Sequence, residues 1–348
     1  TARWRRDWLL LFLLAVVLRV AAGLWLDGFR HPHTVEYEDL ARSLAAGRGF
    51  RFYHLGVYYY SFAAPLYAWI CAGIYVLGGS IGMVIALQIL VSSAHTVFIA
   101  FLAERVFGSR IAGLIAGLLM AVHPGLIVYS AAKAHDLTFD VVVFTLIPWL
   151  CWRVLESPTW VRAIVLGVAV GIGAHLRATI VVFLPAAGVW MWWYSQPSAR
   201  PRLLRAWLAA VVATVLVITP WATRNIRMHH AFIWMLTTDG ESLWDGNNPH
   251  ATGHSYVTPD LLVLNTLPPD QYREMRSQPN EVAQSHWFRD KALEFMREQP
   301  GRAVELFVIK FYSFWWRSPQ TGTIYPSHWA DLYQLYYAGV LLLACLLY

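Results

Sequence analysis

The sequence predicts an all-α polytopic membrane protein, because it is rich in apolar residues, poor in charged ones, and divided into long apolar blocks. Hydrophobic residues make up 57% and charged residues 14% of its 348 positions, and the mean hydropathy is +0.45. Soluble domains are less apolar and carry roughly 25% charged residues. Because the bilayer interior offers no water to backbone amides, blocks of this length favour helices that satisfy their own hydrogen bonds.

Eight apolar blocks are predicted to be transmembrane helices, since a helix needs roughly 20 apolar residues to cross hydrocarbon. They cover residues 8–26, 83–103, 111–129, 137–155, 163–176, 179–193, 207–221 and 332–347. Two further apolar stretches, 62–77 and 304–316, allow two interpretations: a span, or an aromatic-rich helix that lies in the membrane interface.

Arginines predict the orientation, because positive charge concentrates in cytoplasmic segments. If 62–77 lies in the interface, the arginines that flank the spans all fall on one side, which favours the interfacial interpretation of that stretch. These arginines are Arg3, Arg5, Arg6, Arg105, Arg110, Arg153, Arg162, Arg200, Arg202 and Arg205.

The same topology predicts three parts of the chain: a transmembrane core, 1–221, with an outer loop, 27–62; an outer subdomain, 222–301; and an interfacial helix with a final span, 302–348. The outer subdomain begins with a turn-rich run at 238–253 and contains a helix from near Asn280 to just before Pro300. The apolar stripe of this helix is predicted to be Val282, Trp287, Phe288, Ala292, Phe295 and Met296.

Cysteine and charge exclude two classes of protein. Cys71, Cys151 and Cys345 all lie inside apolar stretches, so no disulfide framework is indicated. The net charge of +6 comes mostly from the inner-face arginines, so nucleic acid is not an expected partner.

Polar side chains concentrate in two segments on the predicted outer side. The first contains His31, His33, Glu36, Glu38 and Asp39, followed by a helical pattern that Gly47 and Gly49 close. The spacing of His33, Glu36 and Tyr37 predicts one shared face of a short helix. The second contains Lys133, His135, Asp136 and Asp140, and the two clusters are predicted to meet at one outer cavity.

Arginines also occur within or at the ends of apolar blocks, at Arg19, Arg177 and Arg224. A guanidinium at the centre of a bilayer costs roughly 2.5 to 3.5 kcal/mol on insertion scales, so each is expected to have an anion, either a carboxylate or a phosphate. Arg19 is predicted to be structural, pairing with a carboxylate or reaching the interface, and an interface anchor is the alternative for Arg224. His95, His123 and His175 are interpreted as hydrogen-bonded packing residues and not as a metal site.

Six stretches form an ordered series of motifs. They are LRVAAGLWLDGF at 18–29, HTVEYEDLARSLAAGRGF at 33–50, AAPLYAWICAGIYVLGG at 63–79, AERVFGSRIAGLIAGLLMAVHPGLIVYSAAKAHDLTFD at 103–140, GVAVGIGAHLRATIVVFLPA at 167–186, and TPWATRNIRMHHAFIWMLTTDGESLWDGNNPHATG at 219–253. The series resembles the GT-C glycosyltransferases that use polyprenyl-phosphate sugars, the group that contains the protein O-mannosyltransferases and the bacterial lipid A aminoarabinose transferase.

The resemblance implies a GT-C-like transmembrane helix bundle with a small outer-facing loop subdomain, and an inverting sugar transfer from polyprenyl phosphate to an acceptor. A carboxylate would serve the acceptor hydroxyl, while Arg or Lys would stabilise the departing phosphate. The implied partners are the lipid-linked donor, membrane lipids, and a protein, lipid or glycan acceptor. The implied location is a bacterial cytoplasmic (inner) membrane, with the site facing the periplasm or outside. No cofactor is implied, and the acidic residues leave a divalent metal open.

In the family, the first-loop carboxylate usually lies four residues before the motif tyrosine, which corresponds to Tyr37, and this position holds His33. A neutral His33 could be the base, Glu36 could replace the missing acid, or the activity could be altered. Glu36 and Asp136, which matches the second acidic position of the family, rank first as catalytic residues, and His33 follows. The predicted phosphate-binding set is Arg177, Arg224 and Lys133, and the predicted substrate-lining set is Tyr37, Tyr58, Tyr59 and Tyr60.

Two other functions fit part of this pattern. A lipid-linked sugar transporter would also contain buried arginines and outer acids, but it should show paired half-repeats with broken spans at corresponding positions, and the sequence shows no such pair. A non-catalytic binding or assembly subunit would explain His33 at the position of the usual acid.

Overall fold

The computed structural model describes residues 2–258, 261–315 and 327–347 and shows an all-α polytopic membrane protein with little sheet. In chain order the helices are α1 Ala2–Trp25, α2 Glu36–Ala45, α3 Pro65–Val76, α4 Ile81–Phe107, α5 Arg110–Ala121, α6 Pro124–Ala131, α7 Leu137–Glu156, α8 Trp160–Ala174, α9 Phe183–Tyr194, α10 Arg200–His229, α11 Asp239–Asp245, α12 Pro269–Arg276, α13 Glu281–Glu298, α14 Pro300–Trp315 and α15 Ser327–Leu347. The short strands are β1 His33–Thr34, β2 Phe52–His54, β3 Val57–Tyr59, β4 Lys133–Ala134, β5 Tyr256–Thr258 and β6 Leu261–Leu262.

The chain forms two compact units. One contains Thr1–Phe50 and Ala63–Leu236, and the other contains Arg51–Phe62 and Thr237–Tyr348. These boundaries do not coincide with the predicted divisions at 221 and 301, which stay predictions. The four helices of the described residues that are both long and apolar enough to cross a membrane lie in the first unit.

Four helices of the described residues are long and apolar enough to cross a membrane: α1, α4, α7 and α10. Helices α5 and α6 pass the same test together and are bent by 52° at a short break, which is the geometry of a broken span or a re-entrant loop. These helices coincide with the predicted blocks 8–26, 83–103, 111–129, 137–155 and 207–221. The span predicted over 111–129 is interrupted after Ala121, because Pro124 has no N–H to donate and disfavours a helical conformation at His123.

The remaining apolar blocks form shorter helices. Helices α3, α8 and α9 have 12 to 15 residues, and a turn of 3₁₀ helix at Ala178–Val182 precedes α9. Helix α3 would extend only about 18 Å at 1.5 Å per residue, which is less than the hydrocarbon thickness of roughly 30 Å. Block 304–316 corresponds to α14, with Trp316 outside the described residues, and block 332–347 corresponds to α15.

Arg19 is fully buried and stabilises the break between α5 and α6. Its Nε donates to Ser92 Oγ at 2.8 Å, and its terminal nitrogens donate to the carbonyls of Ala15, Met120 and Ala121 at 3.2 to 3.3 Å. Met120 and Ala121 are in the last turn of α5, where helix carbonyls lack intrahelical partners and attract positive charge. The prediction that Arg19 pairs with a carboxylate or reaches the interface is therefore wrong. Its guanidinium donates to neutral hydroxyl and carbonyl oxygens inside the bundle.

The three intramembrane histidines are hydrogen-bonded packing residues, as predicted. His123 Nδ1 accepts from the backbone N–H of Leu126 at 3.2 Å and so caps α6. His95 Nε2 lies 2.9 Å from Thr145 Oγ1, and His175 Nδ1 lies 2.7 Å from the carbonyl oxygen of Gly171.

Small residues bring α8 and α10 into close contact. A Cβ added to Gly167 would lie 2.2 Å from the carbonyl oxygen of Ala210, and Thr214 Oγ1 donates to the carbonyl of Gly167 at 2.9 Å. Without a hydrophobic force between helices in lipid, such close backbone contact is a main source of association. This packing fixes α10 beside the turn that follows α8, which contributes to the site described below.

The second unit has its own core of Trp244, Val263, Met275, Phe288 and Ala292. The predicted helix near Asn280 is confirmed as α13, whose first turn is capped by the Asn280 side chain accepting from the N–H of Ala283 at 3.0 Å. In the predicted stripe, Trp287, Phe288, Ala292 and Phe295 are buried, and Val282 and Met296 are half-buried. The expectation of turns throughout 238–253 is incomplete, because α11 occupies Asp239–Asp245.

Candidate active site

Two polar loops meet through a short parallel pairing of β1 with β4. His33 is in register with Lys133, and the His33 N–H donates to the carbonyl of Ala132 at 2.9 Å. This pairing brings together the two polar clusters of the sequence. The expected helical face of His33, Glu36 and Tyr37 is wrong, because His33 belongs to β1 and the helix begins at Glu36.

Asp136 lies at the centre of the cluster and is 2% exposed. Its Oδ2 accepts from the Tyr37 hydroxyl at 2.9 Å and lies 3.8 Å from Arg177 Nη2, and its Oδ1 lies 2.6 Å from His135 Nδ1. Burial alone would raise the pKa of Asp136, but the contacts with His135, Arg177 and Tyr37 hold that pKa below its ordinary value. The side chain is therefore a carboxylate at neutral pH.

Arg177 has the anionic partner that its apolar surroundings require. Its Nε donates to Oδ2 of Asp140, a fully buried residue in the first turn of α7, at 2.6 Å. From the residues alone, either a carboxylate or a phosphate could have filled this role, and in the structure Asp140 and Asp136 both do so. The Arg177 side chain remains 41% exposed.

Two residues that the sequence reasoning missed hold this cluster in place. The Tyr67 ring packs edge-on against the Tyr37 ring with centroids 5.2 Å apart, and the Tyr67 hydroxyl donates to Gln88 Oε1 at 2.5 Å. Gln88 Nε2 donates to the carbonyl of Lys133 at 2.7 Å, and its Oε1 accepts from the His135 N–H at 3.2 Å. Gln88 could have been noticed in the sequence as a single amide within an apolar span. A buried polar group requires hydrogen-bond partners, so such a residue indicates a polar contact inside the helix bundle.

His33 and Glu36 are both half-exposed. Burial, with Lys133 and His135 nearby, lowers the pKa of His33, so its imidazole is neutral at pH 7. Glu36 is the first residue of α2, where the helix dipole favours a carboxylate. Lys133 is buried with its Nζ 4.4 Å from the centroid of the Tyr129 ring, and burial lowers its pKa.

A cavity of about 460 Å³ in the same unit contains Arg224. The Arg224 guanidinium lies 4.7 Å from the centroid of the Trp221 ring, and its Nη1 donates to Asn225 Oδ1 at 2.9 Å. The cavity is lined by Leu66, Trp69, Ile172, His175, Val217, Pro220, Trp221 and Arg224. The lining is largely apolar with one strong cation, which suits a molecule with a hydrocarbon chain and an anionic group.

The cavity and the Asp136 cluster share structural elements. Trp69 and Tyr67 lie on the same helix, α3, and His175 lies two residues before Arg177. The N–H of Leu66 donates to the carbonyl of His175 at 2.8 Å, which joins the start of α3 to the turn after α8. The structure thus brings Asp136, Tyr37, Lys133 and Arg177 of the predicted set together, with Arg224 on the adjoining elements.

The other predicted tyrosines lie in the second unit. Tyr59 is 1% exposed and donates to Gln284 Oε1 at 2.7 Å, while the N–H of Tyr60 donates to Glu281 Oε1 at 2.7 Å. Tyr58 is exposed, with the Arg51 guanidinium 4.9 Å from its ring centroid. Their predicted role in lining a substrate path stays a prediction. Within the described ranges, no group of three His, Cys, Asp or Glu side chains is arranged to hold a metal ion.

The long apolar helices define a polytopic membrane protein. Residues 63–223 match the family model for dolichyl-phosphate-mannose-protein mannosyltransferase, which confirms the resemblance seen in the motifs. The matched segment includes Gln88, Asp136 and Arg177 and ends one residue before Arg224. No curated protein and no solved structure matches the chain.

Proposed function

We propose that this protein is an inverting glycosyltransferase that moves one sugar from a polyprenyl-phosphate carrier to an acceptor at the outer face of a bacterial cytoplasmic membrane. The observation that carries the proposal is the Tyr37–Asp136–Arg177–Asp140 cluster on elements shared with the Arg224 cavity. Most of these residues lie in the segment that matches the mannosyltransferase family model. A protein, a lipid or a glycan remains open as the acceptor.

The Arg224 cavity is proposed to hold the donor. Its apolar lining suits the isoprenoid chain next to the phosphate, and Arg224 supplies a charge-assisted hydrogen bond to the phosphate oxygens. Arg177 is a weaker candidate for this contact, because its Nε and Nη2 already face Asp140 and Asp136. Lys133 is a third candidate, but its Nζ lies over the Tyr129 ring.

The proposed reaction is a single displacement. The acceptor oxygen attacks the anomeric carbon, the bond from that carbon to the phosphate oxygen breaks, and the electron pair leaves with polyprenyl phosphate. Arg224 stabilises the negative charge that develops on the phosphate, and a base on the opposite side of the sugar takes the hydroxyl proton. Attack opposite to the leaving group inverts the anomeric configuration.

Glu36 is proposed as the base, with neutral His33 as the alternative. Both are half-exposed and lie beside the cluster, whereas Asp136 is buried. Each Asp136 oxygen is within 2.9 Å of a Tyr37 or His135 polar atom, so we assign to Asp136 the orientation of these side chains and of Arg177. A buried carboxylate with a lowered pKa is a poor proton acceptor.

The test uses the purified chain in vesicles supplied with polyprenyl-phosphate sugars and a membrane extract as the source of acceptor. Release of polyprenyl phosphate by the wild type, with a loss of at least roughly 100-fold in Glu36→Gln, is the expected result for removal of a general base. Asp39→Asn is the matched control, since Asp39 is an exposed acid in the same first turn of α2. Full activity in Glu36→Gln with loss in His33→Ala would transfer the role to His33.

A non-catalytic lipid-sugar binding subunit is the second candidate, because His33 occupies the position of the usual acid. Saturable binding of the donor without release of polyprenyl phosphate in any extract would establish that function instead. Movement of an intact lipid-linked sugar across the vesicle membrane would indicate a transporter.

A further inference from the structure

A second cavity, of about 490 Å³, lies between α9 and the first part of α10. Its lining is apolar and rich in tryptophan, and it includes Pro185, Val189, Trp192, Leu203, Leu204 and Trp207. Val189 and Leu204 are 62% and 44% exposed, so the cavity is an open groove on the surface of the first unit. No role in the proposed reaction involves this groove.

One end of the groove is strongly cationic. Arg200, Arg202 and Arg205 occupy the first two turns of α10, and the sequence contains no Asp or Glu between Glu156 and Asp239. Within the described part of the chain, these three arginines have no carboxylate within ion-pair distance. This end of the groove is therefore positively charged and attracts anions.

Arg200 connects the cationic end to the apolar groove. Its guanidinium lies 5.1 Å from the centroid of the ring of Trp192, which lines the groove. The Arg200 Nε is buried and has no hydrogen-bond acceptor among the described residues. A buried donor without an acceptor is costly, so this nitrogen is placed to bind an oxygen that a ligand supplies.

The groove is remote from the candidate active site. Arg200 and Arg224 lie at opposite ends of α10, on the order of 35 Å apart at 1.5 Å per residue. This separation is close to the thickness of the hydrocarbon core, roughly 30 Å. On a membrane-spanning α10, the two cavities lie near opposite interfaces.

We propose that this groove is a binding site for an anionic glycerophospholipid such as phosphatidylglycerol. An acyl chain lies against Val189, Leu204 and Trp207, and the phosphate accepts hydrogen bonds from Arg200 with Arg202 and Arg205 nearby. Arginine binds phosphate oxygens through paired N–H donors. A zwitterionic headgroup carries the same phosphate, but its cationic group is repelled by Arg202 and Arg205, which favours a headgroup with a net negative charge. The proposal does not depend on the proposed glycosyltransferase activity.

Native mass spectrometry of the full chain released from detergent tests the site, with phosphatidylglycerol and phosphatidylcholine of the same acyl chains titrated separately. The wild type is expected to retain phosphatidylglycerol preferentially, and Arg200→Gln is expected to reduce that preference by roughly tenfold, as for loss of one charge-assisted hydrogen bond. Arg105→Gln is the matched control. It removes the same positive charge from an exposed residue in the last turn of α4.

A second variant tests the groove itself. Leu204→Trp fills the space with an indole at an exposed position, so it should lower phosphatidylglycerol retention while the protein stays monodisperse. Equal retention of the two lipids by the wild type overturns the proposal. An equal loss in Arg105→Gln and Arg200→Gln, which would indicate general attraction by positive charge, also overturns it, and so does unchanged retention in Leu204→Trp.

Discussion

The Tyr37 hydroxyl donates a 2.9 Å hydrogen bond to Oδ2 of Asp136, and this contact joins two loops that are 99 residues apart in the chain. Both partners are buried, so the bond is made away from water. A hydrogen bond to an ionised group contributes about 1.5 to 3 kcal/mol. The contact is therefore strong enough to keep the first loop against the α6–α7 connection, where the acceptor and donor are proposed to meet.

Tyr37→Phe is expected to lower the rate of sugar transfer by roughly tenfold or more, because loss of a charge-assisted hydrogen bond frees Asp136 to move. The measurement is polyprenyl phosphate release in vesicles. Tyr53→Phe, which removes an exposed hydroxyl, is the control. If the two variants retain the same rate, Tyr37 has only a packing role.

The stability of the first unit should depend on pH through Asp136. Its pKa is lowered in the folded protein, below an ordinary value of about 3.9. A depressed carboxylate pKa gives stability that is fully present above the unfolded pKa and is lost as the pH falls through the folded pKa. We therefore expect the difference in apparent melting temperature between wild type and Asp136→Asn to be larger at pH 7 than at pH 3 and to shrink as the pH falls below about 4. A difference that is unchanged at pH 3 would show that charge on Asp136 does not stabilise the fold.

The ion pair of Arg177 with Asp140 gives a double-mutant prediction. Arg177→Gln leaves Asp140 and Asp136 buried without their cation. Breaking a fully buried pair costs about 3 to 5 kcal/mol, and we expect a smaller loss here because the Arg177 side chain is 41% exposed and solvent screens the pair. Adding Asp140→Asn should recover part of that loss, because one of the two buried charges is then removed. Residual monodisperse protein after heating in detergent measures the effect. Additive losses in the double variant would contradict direct coupling of the two side chains.

The long apolar blocks of the sequence were sufficient to locate the long helices. They could not locate the break between α5 and α6 or the strand pairing that joins the two polar loops. Block 111–129 reads as one apolar run, and only the His123–Pro124 pair indicates where it breaks. The β1–β4 pairing involves two residues from each loop, so it leaves no alternating pattern in either segment.

The sequence predicted which charged residues belong to the candidate site, but it did not predict which of them contact each other. Asp136 and Arg177 stand out because charged side chains are rare in apolar segments. The sequence could not decide whether Arg177 faces a carboxylate or a ligand phosphate, because both can neutralise a guanidinium. The contact with Asp140 depends on how α7 packs against the turn between α8 and α9. Gln88 was missed because one amide in a long apolar helix carries no spacing signal.

Helix contact at Gly167 gives a further stability prediction. Gly167→Ala places a methyl group 2.2 Å from the carbonyl oxygen of Ala210, so α8 and α10 must separate. We expect a clear fall in the yield of monodisperse protein and in its apparent melting temperature. Gly73→Ala is the matched control, since a Cβ there meets no atom within 4 Å, and alanine in a helix is favoured over glycine by about 1 kcal/mol. Equal behaviour of the two variants would show that α8 and α10 tolerate a wider spacing.

Arg224 provides the sharpest test of the donor site, because a matched arginine lies one turn further along the same helix. Arg224 lines the cavity, whereas Arg227 is exposed. If Arg224 binds the donor phosphate in the ground state, Arg224→Gln raises the donor KM by roughly tenfold, as expected for one charge-assisted hydrogen bond, with a smaller change in kcat. If its contact strengthens as charge develops on the leaving phosphate, kcat falls as well. Arg227→Gln should change neither parameter, and inhibition by added polyprenyl phosphate should weaken only in Arg224→Gln. Equal kinetics in the two variants would leave Arg224 as an interface anchor over Trp221 and would remove it from the donor site.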